Sequence, residues 1–314
     1  MNLLLDLAGP RALSVLAYHR VLPRPDPLLP GEPDAAEFEA RMRWLRANFN
    51  VLPLGAAVEA LREDRLPRRA LCITFDDGYA DNHGVALPIL RRLALPATFF
   101  VATGFLDGGC MFNDLVIEAV RRARGPHLRL EDIGLGHYAL ATVEQRVRAI
   151  DAILSRLKYF QPGQRQQVAA EIARRAGAAV PADLMMTSDQ VRSLHQAGMS
   201  VGAHTVNHPI LAEIPAAEAR NEMAQSRARL EDITGAPVRL FAYPNGVPLR
   251  DYRREHAELA RALGFEAAVS CAWGAARSGD DVFQLPRFTP WDRGHFRFGL
   301  RLAAKRLTAT YARA

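Results

Sequence analysis

The chain has 314 residues, 49% hydrophobic and 24% charged, the proportions of a globular protein with material for a large core, which excludes a disordered chain. The net charge of +6, from 40 Lys+Arg against 34 Asp+Glu, permits an anionic partner without requiring one. The three cysteines, Cys72, Cys110 and Cys271, lie far apart with no C-x-x-C pair, which argues against a disulfide framework or a thiolate zinc site and leaves them as small buried apolar residues.

The opening stretch "MNLLLDLAGPRALSVLAYHRVLP" lacks a basic start and is interrupted by Asp6, Pro10 and Arg11, so it is not expected to be a signal peptide. With no apolar run long enough to span a bilayer, a cytoplasmic location is the expectation. Residues 12–21 predict a first strand, and the helical spacing of apolar residues from Ala35 predicts a helix. "ALCITFDD" reads as a strand, "YADNHGVALPILRRLAL" as a helix with an irregularity at Pro88, and "PATFFVATG" as another buried strand. The same rhythm resumes with helix "TSDQVRSLHQAG", strand "MSVGAHT", a helix from Pro215 to about Thr234, strand "VRLFAYP", helix "DYRREHAELARALG" and strand "FEAAVSC".

Alternation of this kind predicts an α/β fold with parallel pairing, as a barrel or an open sheet, and residues 1–314 are expected to form one domain. Residues 105–185 break the rhythm with charged helices and an alternating piece around "HLRLEDI". We expect a helical insertion on one rim, shaping a substrate cleft or a partner surface. The C-terminal "HFRFGLRLAAKRLTATYARA" is basic and amphipathic; it suits either a final helix packed on the domain or contact with an anionic membrane surface. No nucleic-acid-binding motif accompanies the basic balance.

The strand "LCITF" ends in two adjacent carboxylates, Asp76 and Asp77, followed by Gly78. Like charges at a buried strand end are tolerable if a cation lies between them, or if one holds a metal while the other handles protons. The complement is "GAHTVNHP", where His204 and His208 follow a strand. Two imidazoles and one carboxylate suit zinc and similar divalent ions and leave positions open for water and substrate. Both motifs fall at C-terminal strand ends, where barrel active sites form. A third stretch, "LFAYPNG", turns sharply at Pro244, Asn245 and Gly246, and a backbone N–H in such a turn can receive an oxyanion.

In this order, "TFDDGY", "HTVNH" and "FAYPNG" resemble the first three motifs of the polysaccharide deacetylases, the carbohydrate esterase group with a NodB-like domain. "LAYHRV" and "LPRFTP" resemble the subset acting on exopolysaccharides. The resemblance covers roughly residues 13–104 and 187–290 and leaves the insertion unassigned. It implies a distorted (β/α) barrel and metal-dependent hydrolysis of N-acetyl groups on amino-sugar glycans, either polymers or lipid- or nucleotide-linked precursors. By matched position, Asp76 is the general base, Asp77, His204 and His208 hold one divalent ion (zinc first, with cobalt, nickel or iron compatible), and the Asn245 N–H faces the tetrahedral intermediate. Two positions depart from the pattern. Ala242 stands where the family often has an Arg that orients the base, and the Leu-His pair supplying the leaving-group acid is missing. Arg287 is the expected replacement for the first and His19 for the second, with His83 and His295 as surface residues. The alternative is a catalytically impaired carbohydrate-binding protein on the same barrel.

Overall fold

The computed structural model describes residues 11–179, 181–290, 294–307 and 311–314. β1 (Ser14–Tyr18) leads through a long loop to α1 (Ala35–Asn48), whose Asp34 cap accepts from the Glu37 N–H. β2 (Asn50–Val51) and α2 (Leu54–Arg62) precede β3 (Ala70–Phe75). A π-helical turn (Asn82–Ala86) runs into α3 (Leu87–Arg92), and β4 (Thr98–Val101) follows. Beyond residue 187 come α7 (Ser188–Gln196), β7 (Ser200–Ala203), α8 (Ala216–Thr234), β8 (Leu240–Ala242), α9 (Arg254–Ala262), β9 (Ala267–Val269) and α10 (His295–Leu307).

The main sheet runs β1-β3-β4-β7-β8-β9 with β2 beside β3, every pair parallel. Residues of β1, β3 and β4 are buried throughout, as expected for parallel strands covered on both faces. The sheet curls until its edges meet on one extended segment. Leu285 pairs with Val269 of β9 and Phe288 with Leu16 of β1, and the Phe288 N–H donates to Val15 O at 2.8 Å. This is the distorted (β/α) barrel that the resemblance implied. The side of the sheet that faces the helices is aromatic: Phe75 and Phe99, paired in register, stack at 4.7 Å, Tyr18 stacks on Phe75 at 5.5 Å, and Phe38 of α1 meets Phe75 edge-on at 5.8 Å.

Residues 112–175 gather round an apolar centre of their own. α4 (Phe112–Arg122), the antiparallel hairpin β5 (His127–Leu130) and β6 (Gly136–Ala139), α5 (Val143–Leu157) and α6 (Pro162–Arg175) bury Val116, Val120, Leu130, Ile153, Leu157 and Ile172 together. The alternating "HLRLEDI" piece thus supplies half of a hairpin.

Two local expectations needed revision. No element was expected between residues 50 and 62, yet α2 buries Leu54, Ala57, Val58 and Leu61 at helical spacing. The helix expected over 79–95 begins as a π turn, with Pro88 in the first turn of the α-helical part, where a missing N–H costs little. At the C-terminus, α10 turns Phe298 and Leu302 into the core, and Arg306 donates to Ser14 Oγ and Ala70 O, both at 3.3 Å. The helix therefore packs on the barrel. Among the described residues, no helix is long and apolar enough to cross a membrane.

Candidate active site

The site forms where β3, β7 and β8 end. The Asp76 N–H donates to Tyr18 O at 2.9 Å, so the residue after β3 is still pinned to β1. The next residue, Asp77, adopts a left-handed backbone (φ 74°), a conformation Asp tolerates better than most residues. Gly78 continues the turn at φ 93°, and a side chain there would meet Val101 Cγ1 at 3.0 Å. The two carboxylates therefore leave the strand in different directions despite being adjacent.

Asp76 is gripped by Arg287. The two guanidinium Nη atoms donate to Oδ1 and Oδ2, each at 2.7 Å, while Nε donates to Ser270 O at 3.0 Å and Nη1 also reaches Thr74 Oγ1 at 3.2 Å. Both side chains are buried, at 1% and 4% exposure. Burial alone would raise the Asp76 pKa, but the Arg287 charge and hydrogen bonds, together with the His204 and His19 imidazoles, outweigh it and hold the carboxyl below its ordinary value. The segment that closes the barrel thus delivers the cation that Ala242 lacks. Ala242 contributes its backbone instead: its carbonyl accepts from His204 Nδ1 at 2.8 Å, which orients the ring so that Nε2 is turned toward Asp77.

His204 Nε2 and His208 Nε2 lie 3.5 and 3.4 Å from Asp77 Oδ1, and one ligand atom from each of the three residues lies within 4.8 Å of the others. Asp77 Oδ1 is buried without a hydrogen-bond partner among the described residues. Burial opposes the Asp77 charge, but the two imidazoles prevail and hold its carboxyl far below the usual range. Burial also opposes a charge on His204, yet Asp77 and Asp76 raise its pKa, whereas burial pulls His208 down to about 3. A buried oxygen without a partner, faced by two imidazole nitrogens, is the donor set a divalent cation takes, so the residues fit the implied metal.

The H-x-x-x-H spacing works here through a loop. Thr205 (φ 64°) and His208 (φ 52°) are both left-handed, and Thr205 Oγ1 accepts from the His208 N–H at 3.1 Å. Glu222 of α8 clamps the loop from outside, accepting from the Val206 and Asn207 N–H groups at 2.8 Å each and from Asn207 Nδ2 at 2.7 Å. Sequence reasoning missed Glu222, since nothing in a helix sixteen residues downstream marks one Glu as a loop anchor.

His19 and Asn245 line the same cleft as Asp77 and His208, a hollow of about 330 Å³. Asn245 sits at φ 59°, and its N–H makes no backbone–backbone hydrogen bond among the described residues. Asn82 Nδ2 donates to His19 O at 2.9 Å, and Asp81 accepts from Arg20 Nε at 2.8 Å and from the Val21 N–H at 3.2 Å. The tail of the "TFDDGYADN" stretch therefore holds the "YHRV" stretch in place, a role not anticipated from sequence. The opposite wall comes from residues 105–185, through Phe112, Asn113, Lys158 and Arg165. His83 is half-buried away from the cleft, its Nε2 3.0 Å from Ser193 Oγ; the side chain of His295 lies outside the described residues. Cys72 is buried as expected, but Cys110 and Cys271 are half-buried, with Cys271 Sγ 3.8 Å from an Arg287 nitrogen.

A carboxylate held ionised by an arginine, beside a second carboxylate sharing its space with two imidazoles, is a set of groups able to handle a proton next to a divalent cation. Residues 63–268 match the family model described as polysaccharide deacetylase, and the chain belongs to that family. By class it is a carbohydrate N-deacetylase. The YxkH protein of Bacillus subtilis, assigned by name to the polysaccharide deacetylases, is 22% identical over 280 residues, covering 88% of this chain and 71% of its own. A poly-beta-1,6-N-acetyl-D-glucosamine N-deacetylase of Staphylococcus epidermidis is 30% identical over 80 residues, only 25% of this chain and 27% of that protein. Among solved structures, the Streptococcus pyogenes deacetylase PplD in complex with acetate shares the fold at TM-score 0.59 and 20% identity, over 90% of this chain and 93% of that one. IcaB from Ammonifex degensii shares it at TM-score 0.59 and 19% identity, over 96% and 99%.

Proposed function

We propose that the chain hydrolyses N-acetyl groups on an amino-sugar glycan, with Asp77, His204 and His208 holding one divalent ion and Asp76 acting as general base. The observation that carries this reading is the buried, unpartnered Asp77 Oδ1 with two imidazole nitrogens turned toward it at 3.4 and 3.5 Å. Zinc is the first candidate, and cobalt, nickel and ferrous iron accept the same donors. When bound, the ion supplies Lewis acidity toward the acetyl carbonyl and the attacking water.

The chain's own groups do the rest. Asp76, kept ionised by Arg287, takes a proton from the attacking water. The Asn245 N–H faces the oxygen on which negative charge develops. His19, which lines the same cleft, protonates the nitrogen so that an amine leaves rather than an amide anion. A base gripped at both oxygens favours hydrolysis over the carbohydrate-binding alternative, which has no use for it. Acetate release from metal-loaded protein supplied with N-acetylated amino-sugar oligomers tests the proposal; no acetate from any oligomer would remove it. The His19 role has its own test. His19→Gln should lose the basic limb of the pH–rate profile and keep its metal, because a general acid acts only while protonated. An unchanged basic limb would return the acid role to water or to a residue of the opposite wall.

A further inference from the structure

The wall formed by residues 105–185 puts positive charge into the cleft without providing its counter-charge. Lys158, directly after α5, and Arg165, in the first turn of α6, both line it, and Asp77 is the one acid among the described lining residues. The charge of Asp77 is already committed to the proposed metal. Arg165 is 5% exposed, and its guanidinium lies 4.2 Å over the Phe112 ring. Its Nη2 donates to His208 O at 3.2 Å and its Nη1 to Lys158 O at 3.4 Å, with no carboxylate partner among the described residues. Of the other buried arginines, Arg287 has Asp76 and Arg41 has Glu37, while Arg306, which does not line the cleft, is met by the neutral acceptors Ser14 Oγ and Ala70 O. A buried cation without an acid is costly, and the first turn of a helix is an unfavourable place for one, since the helix dipole already makes that end positive. The cost is offset if an anion arrives with the ligand, and a planar guanidinium in a cleft that a lysine also lines suits phosphate or carboxylate.

We propose that the cleft selects glycans bearing an anionic group, a phosphate or a carboxylate, beside the N-acetylated sugar, with Lys158 and Arg165 binding that group. This rests on the reading of the cleft as a site for N-acetylated glycans and narrows the substrate to an acidic polymer or a phosphorylated precursor. The hydrogen bond to His208 O places the guanidinium directly behind a metal-ligand residue, so the anion would be read close to the reacting amide.

The test is binding to zinc-loaded Asp76→Asn protein, measured calorimetrically with three N-acetylglucosamine oligomers of equal length: one neutral, one ending in phosphate, one containing a uronate. At low salt at least one anionic oligomer should bind about 10-fold or more tightly than the neutral one, and the two anionic arms distinguish phosphate from carboxylate. The advantage should shrink as salt rises. It should fall in Lys158→Met and in Arg165→Met but survive largely in Arg165→Lys. If Arg165→Met fails to fold, Lys158→Met carries the test. Equal affinity for all three, no binding of any, or an anionic advantage untouched in the Met variants overturns the proposal. Acetate release by wild-type protein from the neutral oligomer, alongside equal affinities, would leave deacetylation standing while this inference fell.

Discussion

Replacing Asp76 by Asn should lower acetate release by at least ~10²-fold while the protein keeps its metal, because an amide cannot accept the proton of the attacking water. The substitution is nearly isosteric, and Asp76 is not among the three groups that converge on the proposed ion. Arg287 would lose its counter-charge and remain buried, so a lower melting temperature should accompany the loss of turnover. Metal content and circular dichroism on the same sample separate the two effects. Near-normal turnover in a metal-loaded Asp76→Asn protein would move the base role to another residue.

Arg287→Met should be damaging in a different way. Asp76 would be left charged and buried at 3% exposure with its main partner gone, a situation that costs about 3–5 kcal/mol. The pH dependence gives the sign. Asp76 lies below its ordinary pKa, with Arg287 the largest of the groups that offset burial, so losing the arginine should raise it and move the acidic limb of the pH–rate profile to higher pH. Stability follows the same linkage. A depressed carboxylate contributes stability above its unfolded pKa and loses it as pH falls through the folded value. The gap between wild type and Arg287→Met should therefore be widest near neutral pH and narrow in acid. Arg287→Lys should rescue only partly, since an ammonium cannot grip both Asp76 oxygens and Ser270 O at once. An acidic limb that stays in place, or moves to lower pH, in Arg287→Met would show that the pair does not tune the base.

The strand ends that carry the chemistry were legible because each motif marks its own backbone. "TFDDGY" combines a buried strand with an abrupt polar turn, and "HTVNH" and "FAYPNG" do the same. Arg287 was matched to Asp76 through the resemblance, which implies an arginine beside the base where this chain has Ala242 and leaves "LPRFTP" to offer the replacement; the two side chains do meet at 2.7 Å. What was not legible depends on docking. The roles of Glu222, Asp81 and Asn82 arise only where a helix or turn happens to meet a loop from another part of the chain. Lys158 and Arg165 belong to an amphipathic, charged stretch whose cleft-facing side is fixed only once α4, α5 and α6 pack round their own apolar centre. Periodicity finds such helices but not which of their charges will lack a partner.

The central claim is that hydrolysis depends on one ion held by Asp77, His204 and His208. Its most direct test is to strip the protein of metal, add zinc back in known amounts, and follow acetate release from an N-acetylated amino-sugar oligomer as a function of zinc bound per chain. Activity should be absent at the start, rise in proportion to bound metal and level off at about one ion per chain, with His204→Ala showing neither the tight ion nor the activity. Full acetate release from metal-free protein, or an undiminished zinc-dependent rise in His204→Ala, would contradict the account.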